Sequence, residues 1–103
     1  MNDSDFIQLT ENVFTRIQQS LEDADLDFEL PADGILEVEF DDGSKLIINR
    51  HSAAREIWVA ARSGGFHFRH DDGAWHDTRD GTELFAKLAA LVASQGGGPV
   101  SFD

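Results

Sequence analysis

Residues 26–77 carry the pattern that most restricts the fold: short stretches of alternating apolar and polar residues, separated by two-residue turn sequences. This alternation has the period of a half-buried β-strand. The pairs Asp42-Gly43, Gly64-Gly65 and Asp72-Gly73 are typical of hairpin turns. Because strands joined by so few residues must be antiparallel neighbours, the middle of the chain is predicted to be a meander of five or six strands.

The first predicted strand differs from the others in having one strongly acidic face. Its apolar face would carry Leu26, Phe28 and Leu30, and its polar face Asp25, Asp27 and Glu29. The other strands are predicted at residues 36–40, 45–50, 56–62 and 66–70, with a last one near Trp75.

Helical periodicity flanks the meander on both sides. A first helix is predicted after an N-cap at Asp3 or Ser4, with an apolar stripe of Phe6, Leu9, Val13, Phe14, Ile17 and Leu21. A second follows an acidic cap at residues 80–83 and ends at the glycines of residues 96–98. The predicted fold class is therefore α+β: a two-layer α-β sandwich with two terminal helices on one face of the sheet and the other face open to solvent.

The chain is expected to be one domain, residues 1–103, because no linker-like stretch interrupts it. Its apolar content of 41%, with eight Phe and two Trp, is enough to fill one core. No apolar run approaches the length of a membrane span, and the first residues are acidic rather than basic. We therefore expect a soluble, cytoplasmic protein that does not bind membranes.

The negative charge is concentrated in the first part of the chain. Residues 1–44 hold 13 acids and a single base, Arg16, whereas residues 45–103 hold 7 acids and 7 bases. The net charge of −12 therefore belongs to the first segment. Such a field repels nucleic acid and attracts cations and basic protein surfaces.

The densest acidic cluster runs from Glu22 to Glu29 and is expected to lie near Glu11. On a strand, carboxylates two residues apart stand roughly 7 Å from each other, so they would bind several hard cations loosely rather than enclose one. Glu22 and Asp23 also fall at the end of the first helix, where the helix dipole disfavours acids. This breach of a local rule is consistent with a functional role, and a merely solvated acidic face is the alternative that the residues alone leave open.

Other kinds of site find little support in the sequence. The absence of cysteine excludes disulfides, thiolate nucleophiles and clusters bound through the chain's own thiolates. The four histidines have no metal-ligand spacing, and neither serines nor glycines occur in a hydrolase or phosphate-binding context. We therefore expect no enzyme.

Trp58 is predicted to lie on the open face of the sheet. The β-branched neighbours Ile57 and Val59 take the core side of the strand, which turns Trp58 outward. Ile47 points outward by the same alternation, so if the helices cover only one sheet face, the two residues form an exposed apolar patch for a partner. The alternative is a tryptophan covered by arginine side chains.

Three segments give the sequence a recognisable character: Ile48-Asn49-Arg50-His51, Ile57-Trp58-Val59-Ala60 and Gly64-Gly65-Phe66-His67-Phe68. Together with the acidic helix and strand, they resemble the frataxin family in its bacterial CyaY-type branch, over nearly the whole chain. The resemblance implies an α-β-α sandwich that binds Fe²⁺ and Fe³⁺ weakly. It also implies a role in iron–sulfur cluster assembly, as an iron donor or as a regulator of the cysteine desulfurase that supplies the scaffold protein, and we expect a monomer without iron.

Carried onto this sequence, the family's acidic ridge falls on Glu11, Glu22, Asp23, Asp25, Asp27 and Glu29. The sheet surface that the family uses toward partners falls on Asn49 and Trp58, and the ridge residues Glu22, Asp23 and Asp25 are expected to contact partners as well. The chain departs from the family where Gln18 and Gln19 stand in place of frequent acids.

Two other hypotheses remain open at this point. In the first, the ridge is only a docking surface of an adaptor for a basic protein, and binding of iron or other divalent cations is incidental. In the second, the ridge oxidises Fe²⁺, although the sequence lacks the Glu/His constellation of helical ferroxidase sites.

Overall fold

Six antiparallel strands form one sheet in chain order, and two helices pack on one of its faces. This architecture is seen in a computed structural model that describes residues 1–102. Its elements are α1 (Asp3–Asp23), β1 (Phe28–Ala32), β2 (Ile35–Glu39), β3 (Lys45–His51), β4 (Glu56–Ala61), β5 (Gly64–Asp71), β6 (Ala74–Asp77) and α2 (Leu84–Ser94). The predicted α+β sandwich is confirmed, with six strands in the meander.

The core lies between the helices and the inner face of the sheet. Alternate residues of the central strands are fully buried, and the apolar stripes of both helices meet them, as the periodicities predicted. The largest fully buried side chains include Phe6, Ile17, Leu36, Ile48, Phe68 and Leu88. Within residues 1–102, neither helix combines the length and the apolar character that crossing a bilayer requires.

The strand predicted at residues 25–30 is displaced in the structure. Asp25 has a positive φ of 57° in the turn after α1, and β1 begins only at Phe28. The pairing of β1 with β2 is irregular between Glu29 and Ala32, and Leu30 is 52% exposed instead of buried. The prediction of one regular acidic row on this strand was therefore wrong, because the chain needs two residues to leave the helix.

Three smaller expectations also change. The first N-cap is Asn2, which forms a capping box with Asp5, since Asn is as good a cap as Asp or Ser. The second N-cap is Glu83, whose carboxylate accepts the first free N–H groups of α2. Gly64 and Gly65 belong to β5 rather than to the turn, which lies at residues 62–63.

The C-terminal segment folds back onto both helices. Phe102 is buried, and its carbonyl oxygen accepts a hydrogen bond from Nε of Arg16. The Arg16 guanidinium also lies 3.8 Å from the centroid of the Phe85 ring. The single base of the first 44 residues is thus engaged by the C-terminal segment and α2.

Candidate functional site

Five carboxylates follow one another at the end of α1 and the start of β1. We call this segment the ridge: Glu22, Asp23, Asp25, Asp27 and Glu29, all exposed. Glu22 and Asp23 form the last turn of α1, in which no basic residue balances the helix dipole. The ridge is therefore a compact anionic end of the molecule.

The turn at Asp25 is a Schellman motif, which explains why the ridge bends there. The N–H of Leu26 donates to the carbonyl of Leu21 at 3.0 Å, and the N–H of Asp25 donates to Glu22 at 3.1 Å. The residue of this motif that adopts the left-handed backbone conformation is usually glycine, and here it is Asp25. Leu26 returns to pack against the core, so the carboxylates on either side stay in solvent.

Glu11 does not join the other predicted ridge residues. It lies three turns before Glu22 on nearly the same stripe of α1, roughly 16 Å away along the axis. The neutral Gln18 stands between them. Glu11 instead lines a shallow groove toward the turn after β1, beside Asp33 and Arg50, which form an ion pair of 2.8 Å. The structure thus places five of the six predicted metal residues along one exposed segment, residues 22–29, with Glu11 apart from them.

No ridge carboxylate forms an ion pair within residues 1–102, although the charge of Glu29 acts on Lys45, which pairs with Glu37. The ion pairs of this part of the chain join other residues, namely Lys45 with Glu37, Arg50 with Asp33, Arg55 with Asp3, Arg62 with Asp42, Arg69 and His67 with Glu56, and Lys87 with Asp77 and Asp80. Arg16 is held by Phe102 and Phe85. Over the same range, no three acids or histidines converge closely enough to hold one metal ion.

The acidic surface continues onto the first hairpin, which sequence reasoning did not include. Glu29 lies directly opposite Glu37, and the N–H of Glu39 donates to the carbonyl of Asp27 at 3.4 Å. Together with Asp41, these acids line a shallow depression of about 580 Å³. The signal was present in the alternation of Glu37 and Glu39, but it required the strand register. Lys45 is the counter-charge here: its hydrogen bond to Glu37 at 2.6 Å, and then the charge of Glu37, raise the pKa of Lys45.

The second predicted partner surface lies in the middle of the open face. Register places Asn49, Trp58 and His67 in one row across β3, β4 and β5. Trp58 points outward as predicted, but it is half-buried, as is Ile47. The expectation of an exposed apolar patch was wrong, because two histidines cover the indole.

The histidines stack on the two sides of Trp58. The His51 ring lies 3.6 Å from the indole at an interplanar angle of 11°, and the His67 ring lies 4.4 Å away at 9°. Neither histidine belongs to a group that could hold a metal within residues 1–102. Their pairing with Trp58 was not predicted, since it depends on the strand register: His67 lies directly opposite Trp58, and His51 is its diagonal neighbour.

The side chain of Glu56 holds Trp58 and Arg69 in place through hydrogen bonds. Its side chain is 8% exposed, and it accepts hydrogen bonds from Nε1 of Trp58 at 2.9 Å and from Nη2 of Arg69 at 2.7 Å. Burial alone would raise the pKa of this carboxyl, but the hydrogen bonds from Trp58 and Arg69 outweigh it and the pKa is lowered. Glu56 therefore stays ionised. We call the group Asn49, His51, Trp58, His67 and Arg69 the Trp58 patch.

Comparison with known proteins identifies relatives of this chain. The family model of the frataxin-like domain matches residues 1–98. The chain is 59% identical over 99 residues to the iron-sulfur cluster assembly protein CyaY of Dechloromonas aromatica, with 94% of each chain covered. It is 46% identical over 101 residues to the protein of the same name from Paraburkholderia phymatum, covering 97% of this chain and 96% of that one.

Solved structures of similar fold include two frataxins. The frataxin from Psychromonas ingrahamii superposes with a TM-score of 0.92 at 34% identity, covering 100% of this chain and 99% of its own. A trimeric frataxin from the yeast Saccharomyces cerevisiae, complexed with ferrous ion, superposes with a TM-score of 0.67 at 25% identity, covering 92% and 86%.

Proposed function

The chain belongs to the frataxin-like family, as the sequence resemblance predicted, and from this premise we propose that it is an iron-binding protein of iron–sulfur cluster assembly. In this proposal the ridge binds Fe²⁺ or Fe³⁺ weakly. The protein then acts as an iron donor, or as a regulator that docks on the cysteine desulfurase, and it is not itself an enzyme.

The observation that carries the proposal is the unpaired state of the ridge. Five exposed carboxylates, none of which forms an ion pair within residues 1–102, produce a local negative potential, which concentrates cations and steers basic surfaces toward the same place. Carboxylate oxygens are suitable ligands for iron and for other hard divalent cations. The assembly role of the relatives and the ferrous complex of yeast frataxin support the choice of iron.

The spacing of the ridge supports weak rather than tight binding. Because no three acidic side chains converge within residues 1–102, each ion would keep much of its water and contact one or two carboxylates. Weak, multiple binding suits a protein that must release iron to a partner. The neutral Gln18 lies between Glu11 and the ridge, so Glu11 is separated from the main site.

Partners would meet two surfaces in this proposal. Glu22, Asp23 and Asp25 would contact a basic surface of the desulfurase, while Asn49 and Trp58 on the open sheet face would contact the desulfurase or the scaffold protein. We expect the iron-free protein to be a monomer.

A docking adaptor with incidental metal binding is the second candidate. The absence of a closed carboxylate site within the described residues favours it, because a purely electrostatic docking surface needs no convergence of ligands. The two candidates differ in whether iron changes partner binding at concentrations that occupy the ridge.

The test is titration calorimetry at low ionic strength with the variant Asp23→Asn/Asp25→Asn. We expect this variant to bind Fe²⁺ under anaerobic conditions, and the desulfurase, roughly tenfold more weakly than the unaltered protein. Asp71→Asn/Asp72→Asn is the matched control, since it removes two exposed acids at the distant turn between β5 and β6. Unchanged affinity of the ridge variant for both ligands would refute the proposal. Loss of desulfurase binding alone, with iron affinity retained, would establish the adaptor instead.

A further inference from the structure

Among the described residues, Glu56 is the acid that contacts the Trp58 patch, and its buried carboxylate is not accessible to a partner. Register places His51, Glu56, Arg69 and His76 in one row of the open face, next to the row of Asn49, Trp58 and His67. Glu56 lies buried in this row, whereas the side chain of Arg69 is 66% exposed and that of His67 is 48% exposed. The accessible groups of the region are therefore hydrogen-bond donors and rings.

The indole of Trp58 is held in one orientation. The two imidazoles cover its faces, and Glu56 accepts its N–H group. What remains for a partner is the ring edge, which carries the positive part of the aromatic quadrupole. Arg69 uses only Nη2 toward Glu56, so the other guanidinium N–H groups are free for an external acceptor.

The corner of the open face formed by β1 and β2 is acidic, in contrast to the donor groups around Trp58. Glu29, Glu37 and Glu39 occupy the rows across β1 and β2, so the open face runs from an acidic corner to a donor-rich one. A polyanion such as nucleic acid would be repelled by that corner and by the net charge of −12. One or two carboxylates on a protein surface would instead fit the fork of Arg69 and the neighbouring ring edges.

We infer that the Trp58 patch docks an acidic side chain of the assembly partner, opposite in polarity to the ridge, and that Glu56 is its positioning residue. This inference rests on the proposed function, because it specifies the chemistry of a partner contact. It also means that the partner presents basic residues toward the ridge and acidic residues toward Arg69.

The test measures binding of the purified desulfurase–scaffold complex by titration calorimetry. Arg69→Glu should weaken binding by roughly tenfold or more, because it places a carboxylate against a carboxylate. Arg79→Glu is the matched control: it makes the same change in net charge at an exposed turn residue and should leave the affinity within about twofold. Equal effects of the two variants would overturn the inference, because net charge would then explain both.

The role of Glu56 has a readout in the free protein. Glu56→Gln keeps an acceptor but loses the charge that holds Arg69, so we expect the Trp58 indole N–H signal in NMR spectra to shift and the affinity for the complex to fall severalfold. An unshifted indole signal with unchanged affinity would overturn the positioning role. If Asp23→Asn/Asp25→Asn weakens binding and Arg69→Glu does not, the inference fails while the proposed function stands. If the unaltered protein does not bind the complex, both fail.

Discussion

The ridge and the Trp58 patch organise their carboxylates in opposite ways. The ridge holds five exposed acids that form no ion pair within residues 1–102, on a backbone that passes through a turn and an irregular strand. The Trp58 patch is built around a single buried acid, Glu56, which accepts hydrogen bonds from Trp58 and Arg69, and its residues lie on three regularly paired strands.

We expect this difference to give two kinds of recognition in one protein. A crowd of solvated charges acts through its field, so its exact side-chain positions matter little and its effect falls with ionic strength. A buried acid that orients a ring and a guanidinium acts through geometry, and it stabilises the fold at the same time. The ridge should therefore be removable without loss of stability, whereas the Trp58 patch should not.

The largest expected effect is that of Glu56→Ala. Removing this carboxylate leaves the N–H of Trp58 and the guanidinium of Arg69 without their acceptor, which should lower the free energy of unfolding by about 2 kcal/mol. Urea unfolding followed by circular dichroism measures the change.

Glu29→Ala provides the contrast for that measurement. Glu29 is exposed and lies directly opposite Glu37, an arrangement of like charges that disfavours the pairing of β1 with β2. Its removal should change the free energy of unfolding by less than about 0.5 kcal/mol. A cost equal to that of Glu56→Ala would remove the distinction between the two regions.

The pH dependence of stability should also single out Glu56. Its pKa is lowered in the folded protein from an ordinary value of 4.5, so its stabilising contribution is present above that value and is lost as the pH falls through the folded-state pKa. The stability difference between the unaltered protein and Glu56→Gln should therefore be largest near neutral pH and shrink in acid. Thermal unfolding across this range measures it, and a constant difference would contradict the assignment.

Most of the fold could be predicted from the sequence because its signals are local. The alternation around Ile57 and Val59 and the helical stripe of α1 each depend on residues close in the chain, and both faces were assigned correctly. The start of β1 was missed because the left-handed turn at Asp25 has no glycine to announce it. The exposure of Leu30 depends on an irregularity in pairing that no pattern in the strand itself reveals.

The same limit of prediction from local sequence signals is clearer for the ridge and the Trp58 patch. The ridge was visible as a run of acids, whereas Glu11 separates from it only when the length of the helix is considered. The stacking of His51 and His67 on Trp58 requires the register of three strands, so the sequence alone suggested unremarkable surface histidines. The burial of Glu56 depends on side chains from neighbouring strands, which the sequence pattern of β4 alone does not show.

The smallest expected effect on stability, and the sharpest test of the ridge, is Asp25→Gly. Asp25 has a φ of 57° at the position of the Schellman turn where glycine is usual, and it lies near the negative end of the α1 dipole. Glycine should therefore raise the free energy of unfolding by a few tenths of a kcal/mol at low salt while it weakens Fe²⁺ binding.

Asp72→Gly separates the two contributions. Asp72 has a nearly equal φ of 52° in the turn between β5 and β6, so glycine relieves similar backbone strain there without removing a ridge charge. Calorimetric titration with Fe²⁺ should show weaker binding for Asp25→Gly and unchanged binding for Asp72→Gly, with both variants folded. If the two variants bound iron equally well, the carboxylate of Asp25 would be neither a ligand nor a significant part of the negative field, and the cation contacts of the ridge would have to lie at Glu22, Asp23, Asp27 or Glu29 instead.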